Sequence, residues 1–167
     1  MNQQVNYWIF QGNPKVFDVV QAIADNAIFD WSVHSHKDKI KVGDKVILWV
    51  TGKHAGCYAL AEVTSELFQG THRGNEFKYY TNFAKTKYDL DKNFGKTTGD
   101  KINIRITHNI SKNPVTKNTI KNIKELAQFK GGNQGTNFSS SQSEYSAILD
   151  IIENKNFQNQ LNYKIWF

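Results

Sequence analysis

Two apolar runs on either side of a short polar break restrict the fold of this chain most. The first is Lys45-Val46-Ile47-Leu48-Trp49-Val50, and the second is Gly56-Cys57-Tyr58-Ala59-Leu60-Ala61-Glu62-Val63. Each has the length and the β-branched or aromatic content of a strand, and the break, Thr51-Gly52-Lys53-His54, has the character of a turn. Residues 45–50 and 56–64 therefore read as the two arms of an antiparallel hairpin, entered through a turn at Gly43-Asp44.

The remaining segments fall around that hairpin. Asn6-Tyr7-Trp8-Ile9-Phe10 reads as a short buried strand, ended by Gly12-Asn13-Pro14. Phe17, Val20, Ile23, Ala24, Ala27 and Ile28 recur at helical spacing, which predicts a helix over 15–27. Residues 31–41 are polar and loop-like, and 66–76 form a second loop. Residues 77–90 are rich in aromatics and read as a strand, followed by a polar turn over 92–99. Residues 101–107 alternate, with Ile102, Ile104 and Ile106 on one face and Lys101, Asn103 and Arg105 on the other, as in a half-buried strand. Residues 119–129 read as a helix with Ile120, Ile123, Leu126 and Ala127 inward. Residues 130–137 read as a flexible glycine-rich connector. Ser141 and Glu144 match a capping box, so a helix starts there and runs to about Ile152. Residues 161–167 are read as an edge strand. This order suits an α+β fold, a mostly antiparallel sheet curved into a small barrel with flanking helices. Without repeat or linker, residues 1–167 read as a single domain.

Composition narrows the partners. A chain of 167 residues with 39% hydrophobic and 13% aromatic content can build a core, and its formal net charge of +6 favours a polyanionic partner. Cys57 is the one cysteine, which excludes an intrachain disulfide and a cysteine-based zinc site; it reads as a small core residue. No apolar run approaches the roughly 20 residues of a membrane span, and Met1-Asn2-Gln3-Gln4-Val5 lacks the features of a signal peptide. A cytoplasmic protein without membrane contact is expected.

Motifs for catalysis are sparse. His34-Ser35-His36 puts two imidazoles on one side of an extended chain, but the spacing matches no zinc signature and reads as a solvated loop. No nucleophile elbow, phosphate-binding loop or His-Glu-x-x-His is present, so no cofactor is expected. A binding pocket is better supported. Trp31 opens a basic loop, Ser32 beside it carries a hydroxyl, and Asn13 at the exit of the first strand can donate to and accept from a base edge. Trp31 is either a stacking surface or a core residue closing the helix on the sheet. Trp49 shares a face with Ile47 and has the same two readings, while Trp8 is a core residue. Phe77, Tyr79, Tyr80 and Phe83 supply either a second wall or sheet packing. Lys37, Lys39, Lys53, Arg73, Lys78 and Lys130 are candidates for phosphate contacts.

At these residues the chain resembles the EVE domain, a PUA-like module related to the YTH domain. The resemblance rests on Asn6 to Pro14, Phe29-Asp30-Trp31-Ser32-Val33, Gly43 to Trp49 with Thr51-Gly52, and Gly56 to Val63. A later piece, Gly135-Thr136-Asn137-Phe138 with Glu144-Tyr145, looks like the closing segment of EVE modules in McrB-type restriction proteins. The resemblance implies a curved sheet holding one modified base, flipped from the duplex, in an aromatic cage. Trp31, Ser32, Asn13, Trp49 and Gly12 are the residues it implies for base binding. It further implies that the protein is not an enzyme but the targeting part of a modification-dependent restriction system. Its partners would be modified double-stranded DNA, with a motor ATPase or GTPase and a nuclease elsewhere. A PUA-like RNA reader is one alternative. A small metal-dependent hydrolase or nuclease using the His34-His36 loop is another.

Overall fold

The computed structural model of the chain describes residues 2–71, 74–81 and 97–165. Among them, eight strands make one curled sheet: β1 (Tyr7–Gly12), β2 (Asp30–Ser32), β3 (Lys45–Val50), β4 (Gly56–Val63), β5 (Phe68–Thr71), β6 (Thr97–Asn109), β7 (Val115–Thr116) and β8 (Asn137–Ser139). The main path runs β2-β6-β4-β3-β1-β8, with β5 beside β6 and β7 beside β4. Only the β1–β3 pairing is parallel; the other strand pairs run antiparallel. The result is a PUA-like α+β half-barrel, as expected.

Beyond the Lys45–Glu62 ion pair at one end, the hairpin arms are apolar because the sheet is buried on both faces. Trp8, Phe10, Val46, Leu48 and Val50 pack with Val19, Ala22 and Ile23 of α1 (Val19–Ala24). Ile9, Ile47, Trp49, Cys57 and Leu60 face the other way. There they meet Ile120 of α2 (Lys117–Ile120) and Tyr145, Ile148 and Ile152 of α3 (Gln142–Ile165). The register slips between Leu48 and Trp49, which leaves Tyr58 and Ala59 both in the first cluster while Cys57 and Leu60 stay in the second. Burial pushes the Cys57 thiol up to about 12, consistent with its reading as a small apolar residue.

Several elements differ from the sequence expectation. The first helix is shorter than 15–27, because Asp18 caps it by accepting from Gln21 N and Asn26 adopts φ 54 just beyond its end. Trp31 and Ser32 lie in a strand rather than a loop, as β2 pairs with β6. Residues 74–79 form a 3-10 turn, not the start of a strand; residues 82–90 lie outside the described residues. Residues 119–129 hold the end of α2 and a 3-10 turn at Lys124–Leu126 in place of one helix. The capping box is present: Ser141 Oγ accepts from Glu144 N at 3.2 Å and Glu144 Oε2 accepts from Ser141 N at 3.3 Å. The helix it starts runs to Ile165, through the residues expected as an edge strand. Among the described residues no helix is long and apolar enough to cross a membrane.

One buried carboxylate fixes the entry to the hairpin. Asp44, 1% exposed, accepts from Asn6 N at 3.0 Å, Trp8 Nε1 at 2.7 Å and Lys41 N at 2.9 Å. It thereby ties the start of β1 to the turn before β3. Asp44→Ala strands these donors, and we expect a loss of roughly 3 kcal/mol or more in urea unfolding. A change under about 1 kcal/mol would show that water replaces the carboxylate at little cost.

Candidate functional site

The main path of the sheet ends in β2 and β8, and among the described residues these are not joined by a backbone ladder. Side-chain hydrogen bonds centred on one residue link them instead. Asn137 of β8, 3% exposed, accepts from His34 N at 2.9 Å through Oδ1 and donates to Ser32 O at 3.4 Å through Nδ2. Its own carbonyl accepts from Ser35 Oγ at 2.9 Å. Thr136 adds a hydroxyl to Asn137 Oδ1 at 3.1 Å, and its carbonyl takes Gln11 N of β1 at 2.8 Å.

A cleft of about 360 Å³ opens along this seam. That is within the size range of small-molecule sites. Gly12 and Asn13 line it from the end of β1, and Trp31 and Ser32 from β2. The indole of Trp31 is half-buried and lies nearly parallel to the ring of Phe10, at 6.1 Å between centroids and 22° between planes. Phe10 is fully buried, so the indole is backed by the core and presents its remaining surface to the cleft. Gly12 makes this possible. A Cβ there would stand 2.5 Å from Val19 Cγ2 and 3.5 Å from Trp31 Cη2, closing the gap between helix and indole. Phe29 and Val16, 53% and 52% exposed, give the lining further apolar surface.

Polar groups converge on the same space. Asp30 and Lys101, both nearly buried, form an ion pair at 2.9 Å and line the cleft together. The stem of Lys101 lies where a side chain on Gly70 would be, since a Cβ there would meet Lys101 Cδ at 2.3 Å. The pair sets an acceptor and a donor side by side, which suits the edge of a planar heterocycle. Tyr80 stands edge-on to Phe17 at 5.0 Å and also lines the cleft. Burial pushes its phenol up to about 12, and the carboxylates of Glu76 and Asp30 push the same way. Asn13 is exposed; its side-chain Oδ1 accepts from Lys15 N at 3.0 Å, and its side-chain NH2 has no partner among the described residues.

The structure thus brings together Trp31, Ser32, Asn13 and Gly12, but not Trp49. That indole is fully buried on the opposite face of the sheet, edge-on to Phe129 at 5.0 Å, and does not line the cleft. Its alternation with Leu48, which packs under α1, sends it there. Of the aromatic cluster, Tyr80 reaches the cleft. Tyr79 is buried against α1 and donates to Asp25 at 2.8 Å, and Phe83 lies outside the described residues. None of the phosphate candidates in the described residues lines the cleft. Lys37 pairs with Asp100, Lys78 lies 4.0 Å from Asp25 and 5.0 Å from the Tyr79 ring centroid, and Lys130 donates to Ser139 at 2.7 Å. Lys39 and Lys53 are exposed, and Arg73 lies outside the described residues. His36 packs on Trp8 at 5.3 Å while His34 lines the cleft, and among the described residues no three His, Cys, Asp or Glu side chains are placed to share a metal ion.

Lys101 is not legible as a site residue in the sequence, where alternation puts it on the polar face of a strand. Two neighbours, β2 and β5, flank that part of β6 and bury it. Asn137 stood only in the closing segment of the family resemblance.

The EVE domain sequence model matches residues 6–151. The chain belongs to the EVE family. No curated protein matches it at a significant level. Solved structures share the fold of this EVE chain at low identity. A hypothetical protein from Leishmania major superposes with a TM-score of 0.61 at 21% identity, covering 92% of this chain and 98% of that one. ASCH from Zymomonas mobilis gives a TM-score of 0.58 at 12%, covering 87% and 94%. Human THYN1, solved in complex with 5-methylcytosine-containing DNA, gives 0.55 at 11%, covering 87% and 96%.

The seam of this EVE fold depends on the Asn137 amide. Asn137→Asp keeps the acceptor for His34 N but sets an oxygen against Ser32 O. We expect a loss of roughly 2 kcal/mol, read as a lower urea midpoint at unchanged slope. An unchanged midpoint would mean that β2 and β8 are held by other contacts.

Proposed function

We propose that this chain binds one methylated or otherwise modified base of duplex DNA, with 5-methylcytosine as the first candidate. The observation that carries the reading is the Trp31 indole, seated on Phe10 and turned to a cleft of base size. An everted base stacks on the indole, a contact worth about 1–3 kcal/mol. Asp30 accepts from an exocyclic amine and Lys101 donates to a ring nitrogen or carbonyl. Ser32 and Asn13 supply further contacts at the mouth. These interactions offset the few kcal/mol of unstacking. THYN1, a structural neighbour crystallised with 5-methylcytosine-containing DNA, supports the choice of DNA over RNA.

A buried methyl contributes about 0.8 kcal/mol, or roughly fourfold in affinity. Larger discrimination requires the cleft to reject the unmodified base by a polar mismatch. Such a module needs no catalysis of its own. In this reading residues 1–167 are one cytoplasmic domain that targets a modification-dependent restriction system, with a motor and a nuclease as its partners.

The test is a titration of matched duplexes carrying 5-methylcytosine, 5-hydroxymethylcytosine, N6-methyladenine or no modification, with RNA equivalents, at fixed salt. We expect the wild type to prefer a modified duplex. Trp31→Ala should lose about tenfold or more on that duplex and keep weak, salt-sensitive binding to all. Equal loss on every substrate would mean that the indole serves folding and not recognition.

A further inference from the structure

The segment Lys130-Gly131-Gly132-Asn133-Gln134-Gly135-Thr136 is expected from its sequence to be a flexible connector. It is instead held at several points. Gly131 lies against the buried Trp49, where a Cβ would meet Phe129 Cε1 at 2.3 Å and Trp49 Cδ2 at 2.9 Å. Gln11, 9% exposed, then pins the backbone with its whole amide. Its Oε1 accepts from Gly132 N at 2.7 Å, and its Nε2 donates to Asn133 O at 2.8 Å and Gly135 O at 2.9 Å. Gly132 and Gly135 take φ 96 and 135, a region costly for other residues. Lys130 at the start of the segment is tied to Ser139.

The last residue of this loop, Thr136, lines the cleft, as does Gln11 of β1, to which the loop is pinned. Its tip residues, Asn133 and Gln134, are exposed, and their side-chain amides have no partner among the described residues. A fixed backbone thus presents two amides, each a donor and an acceptor, beside a pocket of base size. Resting on the reading of the cleft as a site for an everted base, we propose that the Asn133-Gln134 tip enters the duplex, occupies the space that base leaves and bonds the unpaired base opposite. Eversion leaves a gap in the stack and an orphaned Watson–Crick edge on the other strand. An amide satisfies such an edge whatever its donor and acceptor order. Holding the loop rigid beforehand removes the ordering cost at the moment of insertion.

The test uses the full chain with Asn133→Ala and Gln134→Ala combined. Neither side chain is needed for the pinning, which runs through backbone atoms, and thermal melting checks that the fold is kept. Three probes carry the same 5-methylcytosine: a matched duplex, the single strand, and a duplex with an abasic site opposite. We expect the variant to lose roughly tenfold on the matched duplex, the size of one lost bidentate amide–base contact, clearly less on the abasic duplex, which keeps the gap but has no orphaned edge, and nothing on the single strand. Equal loss on all three would overturn the proposal in favour of contacts to the modified strand, and no loss on any would place the tip outside the interface. Each probe has an unmodified twin, and failure of the underlying reading shows separately, as a wild type that prefers the modified member of none of the three pairs.

Discussion

The amide of Asn137 is the interaction on which the rest of the molecule turns. A half-barrel leaves two strands with unpaired edges, and such edges invite pairing with other chains. Here β2 and β8 are brought together at Asn137, whose side chain gives and takes hydrogen bonds in the manner of a peptide group and whose carbonyl accepts from Ser35 Oγ. A full ladder would draw the strands along their length and close the space between them. A single bridging residue holds them near one point and leaves a gap beside it. The cleft opens next to that point: Ser32, His34 and Thr136, which flank the Asn137 bridge, line its edge, and most of the rest of its wall comes from the end of β1, β2 and the residues around α1.

Much of this was legible in the sequence because the signals were local. The hairpin of β3 and β4 follows from strand-length apolar runs and a glycine turn, and the start of α3 from Ser141 and Glu144. The failures came where tertiary packing overrode local preference. β2 has three residues, too few for a period, and exists because β6 offers it an edge. Leu161 to Ile165 hold strand-favouring side chains but continue a helix already nucleated upstream, where each added residue gains a bond without a new nucleation cost. Lys101 falls on the outward face by alternation and is nonetheless buried, because its charge meets Asp30 across the strand pair.

The candidate site shows the same division. Trp31, Ser32, Asn13 and Gly12 stand together because the ends of β1 and β2 meet at the seam. Trp49 could be placed only by knowing that both faces of its strand are covered, since alternation tells which residues share a face but not which face a cleft adjoins. Asp30, Lys101 and Tyr80 are far apart in sequence and converge through the pairing of β2 with β6 and the turn at Gly74–Tyr79.

The charges of the cleft run against those of the whole chain. The protein carries a net +6, yet among the described residues that line the recess Lys101 is matched by Asp30, its ion-pair partner, and Glu76 adds a second carboxylate. On the reading proposed above, an anionic sugar–phosphate strand gains nothing by entering, while an uncharged heterocycle meets no barrier. In that reading the basic exterior suits the phosphate and the recess the base, which sets the end of a nucleotide that enters first.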